Sequence, residues 1–254
     1  MRIRSLVLAI ASMAGFMAGA ASVSAAELVV ISTTASKEAL IEIAPLFERA
    51  SGQRVNISYG GGLDLARKIR EGLAGDLFIG PEEFTDPLLK EGKLVAGTRV
   101  AFALSGTGVA VKAGAPKPDI GTPEAFKNAL LAAKSISFST GASGIQFQKV
   151  LERLGVASQV LAKRVDPVPG ELVGAVVARG GAELGVQQIS ELLPVQGIDI
   201  VGPLPDELQT WNRYGATVMP GSAQRNAAQA FEQFLRSDAA ALVLKRKGLV
   251  PVQN

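Results

Sequence analysis

Short apolar runs alternate with stretches of helical periodicity almost throughout this chain, and the pattern is laid down twice. Leu28 to Ser32 reads as a buried strand. Leu40, Ile43 and Phe47 then mark one face of a helix that stops at Gly52. Val55 to Ser58 is a second strand, and Leu65, Ile69 and Leu73 recur every four residues behind it. Leu77 to Ile79 is a third strand. Strands separated by helices cannot pair as hairpins, so this order predicts an α/β fold with mostly parallel sheets flanked by helices.

The texture then changes. Val100 to Leu104 and Val109 to Lys112 read as extended, with Gly106 and Gly108 between them. The alternation restarts with a helix over Pro123 to Ala133 and a strand over Ile136 to Ser139. A helix carrying Phe147, Val150, Leu151 and Leu154 ends at Gly155, and another carries Leu172, Val173, Val176 and Val177. Strands at Leu184 to Gln187 and Ile198 to Val201 follow. "VGPLPDELQ" is again extended, and Ala223 to Lys247 reads as a helical tail with Phe231, Phe234, Leu235, Leu242 and Leu244 as its apolar positions. The expected architecture is two α/β lobes. One comprises residues 27–104 plus 213–254, the other 105–212, with hinge crossings near 101–112 and 200–216.

In open α/β sheets ligands bind beyond the carboxyl ends of the strands, which directs attention to four loops. Ser32, Thr33 and Thr34 follow the first strand and offer hydroxyls, although capping of the next helix by Ser36 would also explain such a sequence. Gly60-Gly61-Gly62 precedes a helix, where bare backbone lets an anion approach N–H groups at the positive end of the helix dipole. The stretch matches neither the phosphate-loop nor the dinucleotide pattern, and a plain turn is the simpler alternative. Ser139 to Gly144 repeats the logic in the second lobe, with Thr140 and Ser143 as donors. Gly170 before a helix and Gln188 after a strand complete the set; strand alternation turns one of Gln187 and Gln188 to solvent. Four donor-rich strand ends on two lobes predict a cleft for a small anion. Arg213, on the second crossing, is the arginine best placed to add a cation, ahead of Arg67, Arg99, Arg164 and Arg179.

Composition removes several chemistries. The chain contains neither His nor Cys, so disulfides, thiolate and imidazole catalysis, Ser-His-Asp hydrolysis and the usual zinc sites are excluded. No metal or cofactor is expected. Arg2 and Arg4, the apolar stretch Leu6 to Ala21 and Val23-Ser24-Ala25 read as a secretory signal over residues 1–25. Without Arg2 and Arg4 the 26 basic residues fall to 24, against 23 acidic ones. That balance, with no basic block, argues against a nucleic-acid partner.

Four stretches carry a family resemblance: "LVVISTTASKEALIEIAPLFERASGQRVNISYGGGLDLARKIREGLAGDLFIG", "STGASGIQFQKVLERLG", "ELGVQQ" and "AFEQFLRSDAAALVLKRKGLVPV". Together they span nearly the whole chain after residue 25. The chain resembles the periplasmic solute-binding proteins of ABC importers, in the molybdate-binding branch. The resemblance implies a two-lobed type II periplasmic binding protein fold, a monomer in the periplasm and an ABC permease as partner. It also implies departures at the ligand loops. The positions at which the branch carries Ser fall at Ala35 and near Gly62, the third loop position falls near Ser143, and the branch's Tyr becomes Gln188. Fewer hydroxyls and a shaved glycine loop point toward a larger anion, a di- or tricarboxylate. Relatives with such divergent loops are similar to proteins acting on aconitate-type ligands, one of them an isomerase.

The expected function is therefore capture of a small anion, a molybdate-like oxyanion or, given the altered loops, a di- or tricarboxylate, by Ser32, Thr33, Thr34, Gly61, Gly62, Thr140, Ser143, Gly170, Gln188 and Arg213, without catalysis. The alternative is an isomerase of an aconitate-type tricarboxylate. With no His, its base would come from Asp64, Glu171, Glu191 or Tyr214.

Overall fold

The computed structural model describes residues 27–168 and 170–252. The expected signal segment, residues 1–25, and Pro169 lie outside them. Among the described residues no helix is long and apolar enough to cross a membrane.

The first alternating unit forms as its periodicity dictates. β1 (Leu28–Thr33) runs through one helical turn, Thr34–Ser36, into α1 (Lys37–Ser51). Leu40, Ile43 and Phe47 are buried on the inner face of α1, and Gly52 ends it in the left-handed conformation at φ 72°. β2 (Val55–Gly60) leads to α2 (Gly62–Arg70), and β3 (Leu77–Pro81) to α3 (Glu82–Lys90). Leu65 and Ile69 are buried, but Leu73 lies beyond the end of α2. α3 was not expected: Thr85, Asp86 and Pro87 resemble a turn, yet Phe84 and Leu88 are spaced to bury together.

β4 (Val100–Lys112) is one strand of 13 residues rather than two extended segments. Gly106 and Gly108 sit inside it because neighbours crowd the backbone. A Cβ on Gly106 would lie 3.1 Å from the Trp211 ring, and one on Gly108 would lie 2.8 Å from Ile189. The second unit follows: α4 (Pro123–Ala132), β5 (Ile136–Phe138), α5 (Ala142–Arg153), α6 (Ala157–Leu161), α7 (Val173–Ala178), β6 (Leu184–Gln188), α8 (Ile189–Leu192) and β7 (Ile198–Pro203). Thr122 caps α4 by accepting a hydrogen bond from the Ala125 N–H, with Pro123 at the first helical position. The short helices α6 and α8 had no clear periodic signature. The extended reading of "VGPLPDELQ" holds only as far as Pro203; residues 206–208 turn.

β8 (Trp211–Val218) returns to the first unit, followed by α9 (Arg225–Phe234), α10 (Asp238–Arg246) and β9 (Leu249–Pro251). The helical tail is thus two helices. Ser237 separates them by accepting from the Ala240 N–H, which caps α10. Leu242, expected inside, faces outward.

The strands form a sheet ordered β2-β1-β3-β8-β4-β6-β5, with β7 and β9 also paired to β4. It is mixed. β1 is parallel to β2 and β3, and β5 to β6, as helical connections require. β4 pairs antiparallel with each of its neighbours, and β3 pairs antiparallel with β8. β4 spans two apolar cores. Phe102 and Ala103 join a first core with Leu28, Phe47, Tyr214 and Phe231. Val109 and Val111 join a second with Phe126, Phe138, Phe147 and Val186. A third cluster brings Ala142 of α5 against Leu65, Ile69 and Phe84, so the two lobes touch beside the cleft.

Candidate functional site

A cavity of about 620 Å³ opens between the two cores, walled by the ends of β1, β2, β5 and β6 and by Tyr214 of β8. Of the expected residues, Thr33, Thr34, Gly61, Gly62, Thr140, Gly170 and Gln188 line it. The other three stand outside the lining. Ser32 is fully buried, its Oγ 2.9 Å from Ser36 Oγ and donating to the Thr33 carbonyl. Ser36 spends its hydroxyl there and caps nothing. Ser143 is 1% exposed and turned to Ser139 Oγ at 3.0 Å, so Ser139 takes its place on the wall. Arg213 points outward toward Glu82 at 3.8 Å, because strand alternation gives the inner face of β8 to Tyr214.

The glycine loop has two separate reasons for its bare backbone. None of the three glycines has positive φ. A Cβ on Gly62 would lie 2.0 Å from the Phe84 ring, so packing of α2 against α3 excludes any side chain there. A Cβ on Gly61 would meet nothing, and Gly61 presents its backbone to the cavity at the start of α2. The corresponding loop of the second lobe depends on Gly144, whose Cβ would fall 1.6 Å from the Ser139 carbonyl oxygen.

Lysine and arginine are absent from the lining among the described residues. Each arginine proposed as a cation is already paired with a carboxylate: Arg67 with Asp64 and Glu71, Arg99 with Asp86 and Glu82, Arg164 with Asp166, Arg179 with Glu171. Anionic groups of a ligand would meet N–H groups, hydroxyls and amides instead. No cluster of acidic side chains suited to a metal ion occurs among the described residues.

Both glutamines at the end of β6 are 3% exposed, against the expected solvent-facing one, because helices and the cavity wall cover both faces of this strand. Gln187 Oε1 accepts from the Val173 N–H at 3.0 Å, and Gln188 Oε1 accepts from the Tyr214 hydroxyl at 3.0 Å. The four candidate bases now separate by environment. Asp64 is held by Arg67 and Lys68 at the exposed start of α2, and hydrogen bonds from Lys68 and Arg67 lower its pKa. Glu171 pairs with Arg179. Glu191, on α8, is 8% exposed and faces the cavity. Burial raises its pKa, against the opposing effect of hydrogen bonds from Thr34 and Gln187. Tyr214 beside it is pushed up by burial as well. Glu191 and Tyr214 thus belong on the wall, although the sequence names them only as possible bases. The cue was local for Glu191, three residues past a strand end, and lay in the Arg213–Tyr214 alternation for Tyr214.

Comparison with known proteins bears on the fold and the family. An aconitate isomerase from a Pseudomonas species is 37% identical over 231 residues, spanning 89% of this chain and 88% of the relative. The molybdate-binding protein ModA of Azotobacter vinelandii is 28% identical over 248 residues, spanning 95% and 96%. The solved periplasmic molybdate-binding protein of Azotobacter vinelandii superposes with a TM-score of 0.73 at 22% identity, covering 89% of this chain and 100% of that one. Residues 28–250 match the family described as bacterial extracellular solute-binding protein, and the chain belongs to that family.

Proposed function

We propose that this chain captures an aconitate-type tricarboxylate in the cavity and moves its double bond by a proton shift carried by Glu191. The observation that carries the reading is the buried Glu191 carboxyl: the other two carboxylates of the lining, Asp64 and Glu171, are ion-paired, whereas Glu191 meets hydroxyls and amides. Such a group repels a bound anion when ionised, so a site built only for anion capture gains little from it. A carboxyl whose pKa is raised toward the working range is instead suited to accept and return a proton. The likeness to an aconitate isomerase supports the same substrate class.

The chemistry is an allylic shift. Glu191 removes a proton from the methylene next to one carboxylate, and the electron pair moves into the conjugated carboxylate system. The same proton returns to the former vinylic carbon, so the double bond has migrated and no atom is gained or lost. Backbone N–H groups near Gly61 and Gly141, with Thr140, would hold the carboxylates while this happens.

A second reading is favoured by the family match and by the two cores joined through β4. Here the chain is the solute-binding component of an ABC importer, exported through residues 1–25 and acting as a monomer. Lobes 27–104 plus 213–254 and 105–212 would bend at 101–112 and 200–216 and present the captured anion to a permease.

Incubation with trans-aconitate in D2O, followed by proton NMR, separates the two. The first reading expects the vinylic signal of the trans isomer to fall and that of the cis isomer to rise, with Glu191→Gln abolishing both changes while calorimetry still registers binding. Binding of aconitate without turnover leaves the importer reading. Binding of molybdate with no response to either aconitate isomer overturns the substrate class.

A further inference from the structure

Glu191 is held from two sides, and the two holds differ in origin. Within the second lobe, the Gln187 amide favours the ionised carboxyl. That amide is oriented because Gln187 Oε1 accepts the Val173 N–H at the start of α7, which leaves the amide nitrogen facing Glu191. The other hold comes across the cleft. Thr34 Oγ1, in the turn after β1, donates to Glu191 Oε1 at 2.7 Å over a separation of 157 residues. We infer that Thr34 is the positioning residue for Glu191, so that the carboxyl is fully hydrogen-bonded only when the two lobes meet. This rests on the assignment of Glu191 as the proton carrier.

The surroundings make the Thr34 hydroxyl count. α8 packs on the Thr34–Ser36 turn, β4, β6 and α7. The turn, β6 and α7 carry no charged side chain, and the charged residue of β4, Lys112, lies beside Gly180. Tyr214 stands beside Glu191, and the paired carboxylates Asp64 and Glu171 also line the cavity; Glu83, which also bears on Tyr214, is bonded to Gln146. With no cation facing Glu191, its ionised form depends on the donors that touch it. A donor supplied by the opposite lobe ties the readiness of the base to lobe approach, so a substrate that draws the lobes together also prepares the group that acts on it.

The test uses the chain from residue 26 onward with Thr34→Val, which keeps the shape and loses the hydroxyl, and Thr34→Ser, which keeps the hydroxyl. The Glu191 carboxyl is titrated by 13C NMR on glutamate labelled at the side-chain carboxyl, its signal assigned by loss in Glu191→Gln. Thr34→Val is expected to raise the titration midpoint by about one pH unit, a tenfold smaller ionised fraction on its acid side. Thr34→Ser is expected to restore it, and the acid limb of the aconitate rate profile to move with the midpoint. Thr34→Ala repeats the measurement should the valine methyl prove too bulky. A Thr34→Val midpoint equal to the wild-type value overturns the inference whatever the activity. A raised midpoint in a chain that turns over no aconitate upholds the Thr34 contact and sinks the isomerase reading alone.

Discussion

The Tyr214 hydroxyl of β8 donates to Gln188 Oε1 of β6 at 3.0 Å, joining the first core to the end of a second-core strand beneath the cavity. Both residues are buried, so removing one partner strands the other away from water. Tyr214→Phe should lower stability by about 1–3 kcal/mol. The double variant Tyr214→Phe/Gln188→Leu should cost less than the two single changes added together. Thermal unfolding of the four proteins measures this coupling; strict additivity would show that the bond contributes nothing.

The glycine loop predicts opposite outcomes at adjacent positions. Gly62→Ala places a Cβ 2.0 Å from the Phe84 ring and should destabilise by about 1–3 kcal/mol, with partial recovery in Phe84→Leu. Gly61→Ala has free space and should unfold near the wild-type temperature, yet it intrudes on the cavity wall and should weaken tricarboxylate binding. Calorimetric scans and ligand titrations of both variants check the contrast.

Glu232, on α9, is 3% exposed, its Oε1 has no hydrogen-bond partner, and burial pushes its pKa up to about 7. The folded chain therefore holds a proton that the unfolded chain releases near pH 4.5. Its contribution to stability should fall as pH rises from about 4.5 to 7, reaching on the order of 3 kcal/mol of lost stability above that window. Glu232→Gln should flatten the decline in denaturant midpoint between pH 5 and 8, to be read by urea titration across that range.

Arg213 supplies a negative control. It is half-exposed and lies 3.8 Å from Glu82, outside the cavity. Arg213→Ala should change stability by no more than about 0.5 kcal/mol and leave anion affinity unaltered in isothermal titration. A clear loss of affinity would return Arg213 to the site.

Much of this molecule was legible before any coordinates. Leu40, Ile43 and Phe47 announced α1, Gly52 its end, and the two rounds of alternation announced two α/β cores, because these signals are local and depend only on the chain's own period. Of the glycine and hydroxyl loops at strand ends, Thr33, Thr34, Gly61, Gly62 and Thr140 line the cavity, whereas Ser32 and Ser143 do not. Convergence was not legible. Ser32 and Thr33, Ser139 and Ser143, and Arg213 and Tyr214 differ in role through which face of a strand or helix each occupies, and that face is set by pairing with partners tens of residues away. Glu191 gains its environment from a burial no short window encodes and a hydroxyl 157 residues distant. Period and turn chemistry are properties of neighbours in sequence, whereas desolvation and hydrogen-bond supply belong to neighbours in space, so only the folded chain decided which of the four candidate groups is buried at the cavity and which are ion-paired.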